Sequence, residues 1–417
     1  MLSRLAETLI PSEIIKLAAE VKEKAALGQK IYNFTIGDFD PLIFPIPDKF
    51  EQLIIEAYQN KKTNYPAANG IPELRKAISA YINRYEHLDY NPAEVLISGG
   101  GRPLIYAAYR AIVDQGDKVI FPIPSWNNNH YTHFMDGNAC VIETSPENDF
   151  LPTAQDLAPH IHGTTLIALC SPLNPTGTVF KRAQLEAICD LVVEENKRRG
   201  PNEKKLHILF DQIYWTLTFG DNAHYNPVSI RPQLKECTIM VDGMSKAFAA
   251  TGVRVGWALG PERLLNKMRG LLSHIGSWCP MAEQVAAAKF LTDYDAIDAF
   301  MLHFKKEIEI RLVGIYEGFM SLKNEGFSID CIKPQASIYL TVRFDLKGKI
   351  LPNGELITQT QQITSFLLDE CSLALVPFFA FGSDHESNWF RLSIGTCVTA
   401  EIPDMIAKLR EGLQKLS

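Results

Sequence analysis

The chain has 417 residues, of which 46% are hydrophobic and 21% charged. That is the composition of an ordinary globular protein, long enough for more than one core. A net charge of -7 argues against nucleic acid or an anionic membrane as the main partner, because both call for a basic excess.

No basic-then-apolar leader is read at the start, and no long uncharged apolar run is present to span a bilayer. Eight cysteines are scattered, none with the short spacing of a zinc site or a redox pair. Most lie in apolar runs such as "TLIALC". Buried reduced thiols, no metal and a cytoplasmic location are therefore expected.

Residues 1–45 read as a helix-rich arm. From there to about residue 300, apolar runs alternate with helical patterns. "KVIFP" (118–122), "ACVIE" (139–143), "TLIALC" (165–170), "HILFD" (207–211), "TIMVD" (238–242) and "VGWAL" (255–259) read as strands. Several run apolar without alternation, as strands buried on both faces do. A helix is predicted over 183–199, between two of them. Strands interleaved with helices predict an α/β fold with a largely parallel sheet, whose ligands gather at the carboxyl ends of the strands. The order changes after a long helical pattern over 296–324. "ASIYLTVRFD", a helix near 360–371, "LALVPF", "FRLSIG" and a closing helix from about Glu401 predict a smaller α+β domain over 301–417. The arm is expected to pack with it, and "LKGKILPNGEL" (346–356) reads as a polar hairpin or loop.

Several segments hold residues suited to chemistry. "SGGGRPL" places Gly100 and Gly101 ahead of a helix with Pro103 in its first turn. Free amides without side chains make an anion site there, or simply a tight turn. "PSW" puts Trp126 after a strand end, as a stacking platform or as core. "SPLNPTG" is a rigid turn presenting Asn174. In "FDQIY", Asp211 ends an apolar strand, with Tyr214 three residues on. A carboxylate there caps a helix or faces a cationic ring nitrogen. "DGMSKAFAATGVRVGW" sets Lys246 among small residues, with Arg254 eight positions later. Arg391 sits in an apolar strand, where it needs an anion, either a structural partner or a substrate carboxylate.

Taken in order and spacing, these segments resemble the class I and II aminotransferases, the fold-type-I enzymes of pyridoxal 5′-phosphate (PLP), and within them the broad aspartate aminotransferase branch. "NFTIGDFDP" (33–41) and "NYPAANGIPELRKAI" (64–78) add to the match. The resemblance implies a large PLP-binding domain over 46–300 with a mostly parallel seven-stranded sheet. It implies that Lys246 carries the cofactor as a Schiff base and shuttles the proton, that Arg254, Gly100 and Gly101 bind its phosphate, and that Asp211 pairs with its ring nitrogen. Tyr214 and Asn174 would meet the ring oxygen, Trp126 would stack on the ring, and Tyr65 would reach the phosphate of a second subunit in a homodimer. Arg391, Gly37 and Asn174 would hold the substrate carboxylate. The reaction implied is amino transfer between an L-amino acid and a 2-oxo acid, with a C–S lyase or another eliminase on the same fold as the alternative.

Four positions depart from the family pattern. Gly243 stands where many members have a phosphate-binding serine, leaving Ser245 as the neighbour placed to replace it. Ser171 opens "SPLNPTG", and "PFFAFG" (377–382) carries Phe378 and Phe379 where smaller residues are usual. The segment 273–284 has no arginine or lysine to meet a second carboxylate. Trp278, Phe379 and Phe381 are therefore expected to line an apolar or aromatic side-chain pocket.

Overall fold

The structure, a computed structural model, describes residues 2–9 and 13–417. Residues 1 and 10–12 of the expected arm lie outside the described residues. Seven strands form one sheet: β1 (Val95–Ser98), β2 (Lys118–Ile123), β3 (Asn138–Glu143), β4 (Thr164–Cys170), β5 (His207–Asp211), β6 (Thr238–Gly243) and β7 (Gly256–Leu259). Their order across the sheet is β1-β7-β6-β5-β4-β2-β3. β7 alone runs against the others.

The central strands read as continuous apolar runs because both their faces are covered. Along β4, Ile167 and Leu169 face one core with Leu74, Ile78 and Leu185 from the helices Pro72–Glu86 and Arg182–Arg198. Leu166 and Ala168 face the other core, with Leu104 and Ala108 of helix α1 (Gly101–Ile112). β1 is the strand of this sheet that reading the residues missed. It is four residues long, between a 3-10 turn at Pro92–Glu94 and the glycines, too short to show a period.

A second, antiparallel sheet comprises β8 (Ile329–Cys331), β9 (Tyr339–Phe344), β10 (Val376–Pro377) and β11 (Trp389–Ser393), in the order β10-β11-β9-β8. Helix α2 (Tyr294–Asn324) joins the two sheets. Asp293 caps it by accepting from the Ala296 amide at 3.2 Å. Its Ile297 belongs to the core of the large sheet, while Phe304, Ile308, Leu312, Ile315 and Phe319 belong to the core of the small one. Their three- and four-residue spacing puts these side chains on one helical face.

From the N-terminal segment, Phe34, Phe39 and Phe44 enter the same small-sheet core, and Tyr32–Asn33 pairs in parallel with Leu373–Ala374. Segment 346–356 closes on an antiparallel bridge between Ile350 and Leu356. No helix among the described residues is long and apolar enough to cross a membrane.

Candidate active site

The carboxyl ends of β4, β5 and β6 open into a cavity of about 670 Å³. Lys246 enters it from the short helix Met244–Ala247, directly after β6. Its amine donates to the Gly37 carbonyl at 2.6 Å. Burial is the main reason its pKa falls to about 8. The Asp38 carboxylate at the cavity wall opposes that shift, and the Arg391, Arg102 and Arg254 charges add to it. An amine so placed is half deprotonated near pH 8, far below an exposed lysine, and the neutral form is the one that acts as nucleophile and base.

Asp211, the last residue of β5, lies in register with Cys170 of β4, and both line the cavity. It does not cap a helix. Its Oδ1 accepts from the Ile213 amide at 3.1 Å within the turn that follows. Burial raises its pKa to about 6, with that single amide as the opposing influence. A buried carboxylate with so little compensation is suited to a cation brought in by a ligand.

The other pole of the cavity is cationic. Arg254 has φ of +63°, in the left-handed region, which costs a non-glycine residue about 1–3 kcal/mol. Its guanidinium is fixed by the carbonyls of Thr251 at 2.6 Å and Gly99 at 2.9 Å. Gly100, at φ +101°, permits this approach, since a Cβ there would lie 2.0 Å from an Arg254 nitrogen. Gly101 begins α1 and lines the cavity.

Gly243 has its own cause. It pairs with Gly256 across β6 and β7, and a Cβ on it would lie 2.7 Å from the Val255 carbonyl oxygen. No serine fits at that position, whereas Ser245 is buried and lines the cavity.

Arg391, on β11, is fully buried. It donates to Asn174 Oδ1 at 3.1 Å and to the Thr35 carbonyl at 2.7 Å. Its Nε is buried with no hydrogen-bond partner among the described residues. A Cβ on Gly37 would lie 3.5 Å from the same guanidinium. Trp126 and Tyr214 line the cavity as well. Tyr65 does not: it is 81% exposed and packs edge-on against Trp278, with ring centroids 5.0 Å apart.

Two residues of the site were not singled out from sequence. Arg102, in the first turn of α1, lines the cavity, lies 5.2 Å from the Trp126 ring and makes no ion pair among the described residues. Arg391 lies 6.0 Å from the same ring. Arg102 stands within "GGGRPL", so its signal was a cation beside an anion-binding turn. Tyr339 is the other, and no sequence pattern marks it. The expected apolar pocket is arranged differently. Trp278, Phe379 and Phe381 do not line the cavity; Phe379 stacks on His385 at 5.0 Å, and Phe381 packs 4.9 Å from the Arg391 guanidinium.

The sheet order and the cavity at its strand ends place the molecule among the fold-type-I transferases. The chain belongs to the family described as aminotransferase class I and II, which matches residues 29–409, and it is an aminotransferase. It is 30% identical over 410 residues to the protein of Rickettsia typhi named "Probable aspartate/prephenate aminotransferase", covering 97% of each chain. Among solved structures, the aspartate aminotransferase of Rhizobium meliloti is similar over the full length of both chains, with a TM-score of 0.90 and 26% identity. The aspartate aminotransferase of Thermus thermophilus with maleate gives a TM-score of 0.86 at 26% identity over 99% of both chains. The family is in general PLP-dependent.

Proposed function

We propose that this aminotransferase uses PLP carried on Lys246 and takes a dicarboxylic L-amino acid, aspartate foremost, as donor, with a 2-oxo acid such as 2-oxoglutarate as acceptor. The observation that carries the substrate half is the pairing of Arg102 with Arg391 in one cavity, both guanidiniums against the same indole. One carboxylate occupies Arg391 and the second meets Arg102. The relatives named for aspartate, and the neighbour solved with the dicarboxylate maleate, support this reading. Ile36 and Ile105 on the same walls give apolar surface, on which aromatic donors are expected to bind as poorer substrates.

The residues fit the cofactor. The buried acid Asp211, the amine of Lys246 and the Arg254–Gly100 cradle suit, in turn, a cationic ring nitrogen, an aldehyde and a phosphate. Bound PLP supplies a carbonyl carbon that captures amines and a ring that withdraws electrons. Arg254, Ser245 and the amides of Gly100 and Gly101 would hold the phosphate, while Asp211 keeps a proton on the ring nitrogen. Tyr214 and Asn174 would contact the ring oxygen, and Trp126 the ring face. Arg391, Asn174 and Gly37 orient the substrate carboxylate, and Lys246, once freed, takes the proton from the substrate α-carbon.

The site draws on all three segments of the chain: Gly37 from the arm 1–45, Lys246 from 46–300 and Arg391 from 301–417. We assign cofactor binding to the second of these and substrate-carboxylate binding to the third. A homodimer in the cytoplasm completes the proposal. Tyr65 would reach the phosphate site of the second copy, and the apolar side chains Leu42 and Ile275, exposed at 93% and 59%, would be covered by it.

Incubating the PLP form with single amino acids tests the reaction. Aspartate is expected to yield oxaloacetate and the pyridoxamine form of the cofactor. Ammonia and pyruvate from β-substituted amino acids, without amino transfer, would make the chain a lyase instead. Arg391→Lys is expected to weaken donor and acceptor alike, because a point charge cannot reproduce a two-pronged guanidinium. The loss should be about 2–4 kcal/mol, as when one member of a buried charge pair is replaced. It is read as a matching rise in KM for aspartate and 2-oxoglutarate; a change confined to one of them would refute the shared carboxylate site.

A further inference from the structure

The hydroxyls of Tyr214 and Tyr339 lie 2.6 Å apart, and both side chains are buried. Their rings meet edge to face, with centroids 5.5 Å apart. Tyr214 stands in the turn after β5 and Tyr339 at the start of β9, so the contact bridges the two sheets. Two other groups converge on Tyr339. The Arg391 guanidinium lies 4.8 Å from its ring. A Cβ on Gly37 would lie 2.9 Å from its hydroxyl, so glycine there is what lets the hydroxyl sit at this junction. Among the described residues, Tyr214 is the only hydrogen-bond partner of the Tyr339 hydroxyl.

A phenol carries one proton and accepts through its lone pairs. In a pair of phenols, one donates to the other. When Tyr214 spends its proton on an oxygen of a molecule in the cavity, Tyr339 must be the donor within the pair. A hydroxyl that accepts a hydrogen bond is itself a stronger donor, because the two bonds polarise one another.

We propose that Tyr339 is a positioning residue: it fixes the direction of the Tyr214 proton and so sets how strongly Tyr214 donates to the cofactor's ring oxygen. This rests on the PLP reading given above. Stabilising the ring oxygen as an anion lowers the proton affinity of the lysine-derived nitrogen beside it. The consequence is measurable as the pH midpoint of the visible absorption band of the loaded enzyme.

The test loads wild type, Tyr339→Phe, Tyr214→Phe and the double variant with PLP and titrates that band. Tyr339→Phe is expected to raise the midpoint by roughly 0.3–1 pH unit, the equivalent of one lost hydrogen bond. Tyr214→Phe should raise it further, and the double variant should match Tyr214→Phe alone. An unchanged midpoint in Tyr339→Phe, or fully additive shifts, would overturn the proposal. Fluorotyrosine incorporated at position 339 gives a second reading that keeps the ring and the hydroxyl. A more acidic phenol donates more strongly, so the midpoint should fall, and a rise or no change counts against the proposal. Failure of the wild type to retain PLP after borohydride reduction would remove the cofactor reading, and this inference with it. A shifted or unshifted midpoint in a loaded enzyme bears on Tyr339 alone.

Discussion

Replacing Lys246 with alanine is expected to remove both the covalent attachment of PLP and turnover. Among the described residues, Lys246 is the one lysine lining the cavity. The rate loss should be on the order of 10⁴-fold or more, since general acid–base catalysis alone contributes roughly 10²–10⁴-fold. Borohydride reduction followed by peptide mass mapping should find the cofactor on the Lys246 peptide in wild type and nowhere in the variant. A retained adduct on another residue would defeat the assignment. The wild type carries a pH signature of the same group. Only the neutral amine attacks a carbonyl, and burial brings the Lys246 pKa to about 8. The rate at which apoenzyme captures PLP should therefore rise from pH 7 to 9 and level off above that. A capture rate still climbing about tenfold per unit between pH 8 and 9 would mean that the amine titrates as an ordinary exposed lysine.

Asp211→Asn should carry the second-largest penalty. The carboxylate is buried at the end of β5, accepts one amide hydrogen bond and, among the described residues, has no cation paired with it. An asparagine can accept the same amide from Ile213, so the fold and the turn persist, but it cannot hold a proton on a ring nitrogen by charge. The expected slowing of substrate α-proton removal is roughly 10²–10⁴-fold, equivalent to about 3–5 kcal/mol, the range for breaking a buried charge pair. Single-turnover kinetics with aspartate read it directly. A near-normal rate would reduce Asp211 to a turn residue.

How legible the site was depends on whether a residue's role follows from its neighbours in the chain. Lys246 and Arg254 lie eight residues apart on one turn-and-strand segment, so spacing alone exposes them. Asp211 and Asn174 sit where strand ends meet turns, which composition also marks. Gly243 is different. Its lack of a side chain is imposed by Gly256 across the sheet, a constraint that exists only once β6 and β7 pair. Tyr339 meets Tyr214 across 125 residues, and nothing in "ASIYLTV" distinguishes it from a core aromatic. Phe379 and Phe381 look like pocket residues in sequence because "PFFAFG" stands where the family pattern borders the substrate, but the 3-10 turn Phe378–Phe381 directs them to His385 and to the Arg391 guanidinium. Arg102 is masked in sequence by the stronger signal of the glycines beside it, although the helix start that frees the Gly101 amide also orients this cation. The alternating strands and helices were legible from their periods, except for β1, whose four residues have too little length to show one.

A dicarboxylic donor held between two guanidiniums is tested most directly by Arg102→Leu. The measurement is the ratio of half-reaction efficiency, kcat/KM, for L-aspartate over L-phenylalanine, in wild type and in the variant. Wild type is expected to favour aspartate. The variant should lose roughly 10- to 100-fold of that ratio, the value of a hydrogen bond to a charged group, with the loss falling on aspartate while phenylalanine holds or improves. An unchanged ratio would show that the second carboxylate is not bound by Arg102. It would point to a cation supplied by a second copy of the chain.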